Sequence, residues 1–154
     1  MGITAHRKGD IEATFAAFLA EVERQEVESL CRIGEEAVRL AKLIPAERGF
    51  TDRTGNLRSS IGYVVCKGGR PLNIAFEAVK GGHVGVNEGE RLALKLAQSH
   101  TDGKPYLIVV AGMHYAVYVE SKGRDVLTSA EKEAEKLVAR EIADLITNVQ
   151  NAFK

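Results

Sequence analysis

Four histidines, two cysteines and one glycine-rich stretch are the residues of this chain that invite a chemical reading. His6, His83, His100 and His114 are scattered. None stands in HExxH or another spacing that would bring two imidazoles to one metal ion. His114 and Glu120 are close in sequence, but an isolated histidine at a strand end is far more often hydrogen-bonded or solvated than a ligand. No serine occupies a GxSxG elbow. Gly81 to Gly89 reads GGHVGVNEG, which invites a phosphate-loop reading. It contains no GxxxxGK[ST], and its glycines lack the GxGxxG spacing that opens a helix after a strand. The segment therefore reads as a flexible loop. No catalytic residue, metal site or cofactor is expected.

Weak electrostatic chemistry is the remaining option. Arg48, Arg53 and Arg58 cluster in sequence, as do Lys122 and Arg124. They read as a solvated surface or as the lining of a channel that touches DNA without regard to sequence. Lys and Arg together number 21, equal to Asp and Glu, which argues against a dedicated nucleic-acid binder. Zero net charge also opposes self-association less, which suits a component of an assembly.

These residues must be positioned by a chain of 154 residues, 45% apolar and 27% charged, the profile of one soluble domain spanning 1–154. The N-terminus lacks the apolar run of a signal peptide, and no stretch approaches membrane-spanning length. A long helix is expected from Asp10 to Ile44, with Asp10 as N-cap and Pro45 as the stop. Its apolar positions are Ile11, Phe15, Phe18 and Val22, then Leu30, Ile33, Ala37, Leu40 and Ile44. The run Glu23-Arg-Gln-Glu26 interrupts this stripe and predicts a break or bend near Gln25. A straight helix of that length would overshoot a domain of this size, so part of it is expected to project. Phe15 and Phe18 are then candidate oligomer contacts.

Residues 54–127 read as a sheet region. A hairpin is expected from Ile61–Lys67 and Leu72–Val79 around the turn Lys67-Gly-Gly-Arg-Pro71. Tyr106 to Gly112 is apolar at every position, as in a central strand covered on both sides. Between them, 80–104 looks like an insertion carrying a short helix from Glu88 to Ser99, with 81–89 and 100–104 as its mobile flanks. Tyr115 to Glu120 is ambiguous between strand and helical turn. A last helix spans 128–153, opened by the capping-box pattern Thr128-x-x-Glu131 and striped by Ala130, Ala134, Leu137, Val138, Leu145, Ile146, Val149 and Phe153. Cys31, on the first helix, and Cys66, on a strand, read as small buried apolar residues of a reducing compartment. The order α, β, β, short α, β, α gives an α+β fold in which helices cover one face of a small, mainly antiparallel sheet.

Two local patterns are more specific. Arg53-Thr-Gly-Asn-Leu-Arg-Ser-Ser-Ile61 leads straight into a strand, and Tyr115-Ala-Val-Tyr-Val-Glu-Ser-Lys-Gly123 leads toward the last helix. Gly55 and Asn56 tolerate the left-handed backbone of a turn that Leu57 then anchors. Tyr115 and Tyr118 offer apolar bodies with polar tips, as interfaces favour. Glu120 can accept backbone N–H bonds or pair with an arginine such as Arg58. Intramolecular scaffolding accounts for the same residues equally well.

The pair of patterns, with the long first helix, resembles a family of siphophage tail-component proteins. That group is related to the lambda-type minor tail protein Z and to tail-completion proteins of head–tail connectors. The resemblance rests on Thr54, Gly55, Asn56, Leu57, Arg58, Tyr115, Tyr118, Glu120 and Gly123, some 20 residues with their neighbours. This chain departs from the family in having Ser121-Lys-Gly123 after YVE and no proline in the link to the last helix. The resemblance implies a non-enzymatic virion protein that acts in tail completion or head–tail joining. It would form a ring or ring-associated oligomer with itself and neighbouring tail or connector proteins, with no small-molecule substrate and no membrane. Its place would be the virion tail or connector, and the host cytoplasm during assembly. The alternative is a small regulatory or toxin–antitoxin-like protein-binding module without catalytic activity, which the absence of a helix-turn-helix pattern disfavours.

Overall fold

The structure is a computed structural model that describes residues 8–152. His6 and Phe153, singled out above, lie outside the described residues. The fold is α+β, with a three-stranded antiparallel sheet between helices. Helix α1 runs from Lys8 to Leu43, so Asp10 lies in its first turn rather than at its cap, and Pro45 follows its end. A one-turn helix α2, Asn56–Ser59, precedes strand β1, Ile61–Lys67. Strand β2, Arg70–Phe76, returns after the two-residue turn Gly68-Gly69, both at positive φ as such hairpins require. Helix α3 spans His83–Ala97, strand β3 Tyr106–Ala111, helix α4 Ala116–Ser121 and helix α5 Thr128–Ala152.

The strand order β2-β1-β3 makes β1 the centre, not β3. Every β1 residue from Ile61 to Cys66 is buried, whereas β3 is mostly half-buried. Apolarity along β3 reflects two covered faces and says nothing of its free edge. The alternation of β1 assigns the layers. Val64 and Cys66 meet Ala93, Ala97 and Val110 on the α3 side. Tyr63 meets Gly34 of α1 on the other side, and Ile61 joins Ala37 and Ala41 there. Helices therefore cover both faces, and residues 80–104 are a structural layer rather than an appendage. Pro71 falls where the β1–β2 register shifts between Val65 and Cys66, a place where an edge strand tolerates a missing N–H.

Residues 83–89, expected as loop, are the first two turns of α3. Gly85 and Gly89 are buried because the helix lies directly on backbone. A Cβ on Gly85 would stand 2.0 Å from the Asn56 carbonyl oxygen, and one on Gly89 would stand 2.7 Å from that of Ser60. Close approach, not flexibility, selects glycine there.

Helix α1 is continuous through Gln25, against the expected interruption. Its polar stretch is tied along the helix itself: Arg24 bridges Glu21 and Glu28, and Gln25 donates to Glu21 at 3.1 Å. Glu23 takes Lys67 of the sheet at 2.5 Å. Helix α5 runs antiparallel to α1, joined by Arg32–Glu141 at 3.1 Å and by Ala130 and Ala134 beside Ala37 and Ala41. At 36 residues α1 is about 54 Å long. None of residues 9–21 is buried, and only Phe18 among them is partly covered, so this half projects. Cys66 is buried, Cys31 is only half-buried, and both are free thiols. Among the described residues no helix is long and apolar enough to cross a membrane.

Candidate functional site

The two motifs meet in one apolar cluster. Leu57, Ile61, Ala116 and Val126 are buried together with Phe50, Ala37, Ala41 and Ala130, and Tyr115 and Val119 lean against them. Around this cluster Asn56, Arg58 and Glu120 each complete the end of a helix, satisfying backbone groups that helix termini leave without partners.

Gly55 holds φ 78°, and a Cβ there would stand 1.9 Å from the Val79 carbonyl oxygen. Thr54 Oγ1 accepts the Asn56 backbone N–H at 3.3 Å. The Asn56 side-chain oxygen then accepts the N–H of Gly85 at 3.2 Å, serving the first turn of a helix 29 residues further on. Arg58 donates from Nη2 to the Ile44 carbonyl at 2.9 Å and from Nε to that of Lys42 at 3.2 Å. It thereby closes the C-terminus of α1, where positive charge is also favoured by the helix dipole. Its guanidinium lies 4.6 Å from the Phe50 ring centroid, and its own backbone N–H goes to the buried Asp52 at 3.0 Å. Ser59 and Val79 exchange two hydrogen bonds, of 2.7 and 3.2 Å, which fasten the exit of β2.

Glu120 does not pair with Arg58. Its carboxylate accepts the N–H groups of Val126 at 2.7 Å and of Leu127 and Thr128 at 3.2 Å, and the Thr128 hydroxyl as well. The Thr128-x-x-Glu131 capping box is thus replaced by a cap delivered from α4. Asp125 supplements it by accepting the Ser129 N–H at 3.2 Å. Gly123, at φ 74°, makes the reversal between the two helices. Tyr115 is half-buried beside this cluster, and burial pushes its phenol up. Tyr118 is 63% exposed, as is its neighbour Val117 at 79%.

The basic residues are partly absorbed into the same construction. Arg124 donates to the Glu47 carbonyl at 3.1 Å, and the Arg48 carbonyl accepts the Asp125 N–H at 3.0 Å. Among the described residues no group of three or more His, Cys, Asp or Glu side chains converges as a metal ion requires.

What the motifs leave open is an apolar surface. Ile11, Phe15 and Leu19 are 57%, 60% and 51% exposed at successive i+4 positions of the projecting half of α1. Phe18 belongs to the partly covered side, so the exposed line runs through Ile11 and Leu19 instead. Leu19 lies outside the stripe expected from the sequence, although it stands four residues after Phe15. A second apolar feature is an open groove between β3 and α5, lined by Pro105, Leu107, Val109, Ala134 and Val138. No family model matches the chain, and no curated protein or solved structure matches it either.

Proposed function

We propose that this chain is a non-catalytic structural subunit of a tailed bacteriophage or prophage, acting in tail completion or in joining head to tail. In this reading it works in a ring or ring-associated adaptor, in contact with copies of itself and with neighbouring tail or connector proteins. It needs no cofactor and makes at most sequence-blind contact with DNA. The observation that carries the reading is the division of labour between motif and surface. Most of the motif residues (Thr54, Gly55, Asn56, Leu57, Arg58, Tyr115 and Glu120) are spent on holding helix ends and the core together, while Val117 and Tyr118 stay exposed and the first helix carries apolar residues out beyond the sheet. An enzyme's distinctive residues would line a cavity, whereas an assembly subunit needs a stiff frame that presents surfaces.

The test is genetic and morphological. A phage or lysogen carrying a stop codon early in this reading frame is expected to yield heads and tails that fail to join, or tails of defective length, by electron microscopy. Intact infectious particles from the same lysate would overturn the reading.

A further inference from the structure

We propose that the free edge of β3 is a docking site for an extended, basic and apolar segment of a partner protein, which adds a fourth strand over α5. The inference goes beyond the tail-joining reading and does not depend on it.

The two edges of the sheet are built differently. The Gly112 N–H donates to the opposite Ser60 carbonyl at 3.0 Å, which fixes the phase of the β1–β3 ladder. Bonded and non-bonded pairs alternate in such a ladder. Tyr106, Ile108 and Val110 therefore bond to β1, while Leu107, Val109 and Ala111 turn their N–H and C=O groups outward. Among the described residues nothing takes up these outward groups. The β2 edge is blunted: Pro71 places its missing N–H there, Arg70 is exposed beside it, and the register breaks between Val65 and Cys66. The β3 edge keeps an unbroken register over six residues, with no proline and no charge. Such a clean apolar edge is a template for another strand.

The space beside that edge suits a single strand. Helix α1 lies under the sheet and α5 packs on α1 out beyond β3, which leaves an apolar groove of about 720 Å³. Leu107, Val109, Leu127 and Val138 line it. A strand paired to β3 sends alternate side chains into this groove. Charge states what else the strand carries. Glu131 and Glu135, both exposed, stand on the α5 side, and Glu26 and Glu141 line the cleft that continues the groove past Pro105. Among the described residues no lysine or arginine lines either cleft, and of the four glutamates only Glu141 has an ion-pair partner, Arg32. Lys104, Lys132 and Lys136 are near in sequence but lie outside the lining. The occupant is therefore extended, apolar at every second position, and basic.

A second copy of the chain fits less well. Antiparallel pairing of β3 with itself about a two-fold axis brings two α5 helices under one seam and sets Glu131 and Glu135 against their equivalents. A β2 edge from another copy brings Pro71 and the bulge. A lone strand of another protein, held by main-chain bonds and selected by alternate side chains, meets neither obstacle.

The probe is the capped peptide Lys-Val-Thr-Val-Thr-Val-Lys, added to the full chain and followed by amide NMR and hydrogen exchange. In the free protein the Leu107, Val109 and Ala111 amides should exchange about tenfold faster, or more, than those of Ile108 and Val110. The probe should shift and protect those three amides. N-methylation of all its valines, or of all its threonines, blocks one edge of the peptide backbone at a time. One of these peptides should lose affinity by about tenfold and the other keep it. Glu131→Gln with Glu135→Gln, at exposed positions, should leave the chain folded by its melting curve and weaken the probe by about threefold. Protection of the three amides that grows with protein concentration alone would overturn the proposal in favour of a second copy. Equal binding of the two methylated peptides, or unchanged binding to the glutamine variant, would overturn it in favour of plain apolar adhesion. A probe that leaves the three amides untouched at its solubility limit overturns it too, while particle morphology decides the tail-joining reading separately.

Discussion

The carboxylate of Glu120 accepts the backbone N–H of Val126 at 2.7 Å, so a residue of α4 closes the start of the helix that follows. Helix α5 thereby depends on a side chain eight residues before its first turn. Replacing Glu120 by Ala leaves three N–H groups short of their acceptor. The expected cost is about 2 kcal/mol, a fall in melting temperature of about 4–8 °C for a chain of this size. Glu120→Gln, which keeps one acceptor oxygen, should lose less. Equal stability of all three proteins in thermal melts would show that the cap contributes nothing.

Arg58 is expected to matter through its fork of donors rather than its charge. Arg58→Lys retains the charge but cannot reach the Lys42 and Ile44 carbonyls together. We expect a loss of about 1–3 kcal/mol in urea denaturation. An arginine whose task was contact with DNA or a partner would instead tolerate the change with stability intact.

Two glycines separate backbone strain from collision. Gly68 holds φ 59° with open space around its missing side chain, and Gly55 holds φ 78° against the Val79 carbonyl. Gly68→Ala should cost about 1 kcal/mol. Gly55→Ala should cost several times more or abolish folding, read as soluble yield and cooperative melting.

Tyr63 is a buried titrating group of the sheet. Burial, and then the nearby Glu35 carboxylate, push its phenol up to about 12. Because the folded value lies above the unfolded one of 10.0, its contribution is fully present below pH 10 and is lost as the pH rises toward 12. Ultraviolet titration should show one tyrosine ionising last, and Tyr63→Phe should flatten the decline in stability above pH 10. Tyrosines that titrate together would contradict this.

Long periodic elements were legible in the sequence because their signal is local. The spacing of Ala37, Leu40 and Ile44, and of Ala134 and Val138, marks α1 and α5 within a few residues. The hairpin follows from β-branched runs around Gly68-Gly69. Three features escaped for physical reasons. The start of α3 was hidden because close backbone approach demands Gly85 and Gly89, and glycine reads as loop wherever it occurs. The sheet order was misread because apolar faces do not report which edge is paired. A break near Gln25 follows from the lost stripe, but the helix runs on through that stretch, which the Arg24 ion pairs and the Lys67–Glu23 bridge occupy. At the candidate site, the sequence marked the residues but not their tasks. The bond from Gly85 N–H to Asn56 joins residues 29 apart, and no spacing rule anticipates it.

The central place of β1 governs the order in which the chain can complete itself during synthesis. One edge of β1 is paired as soon as β2, 70–76, has emerged, but the other waits for β3 at 106–111. At about 5–20 residues per second that interval lasts a few seconds, during which an apolar strand has one open side. Helix α1 waits longer still, since α5 is the last element to appear. A newly made chain therefore passes through a stage in which an open sheet edge and a naked helix face are both offered to neighbouring chains on the same messenger.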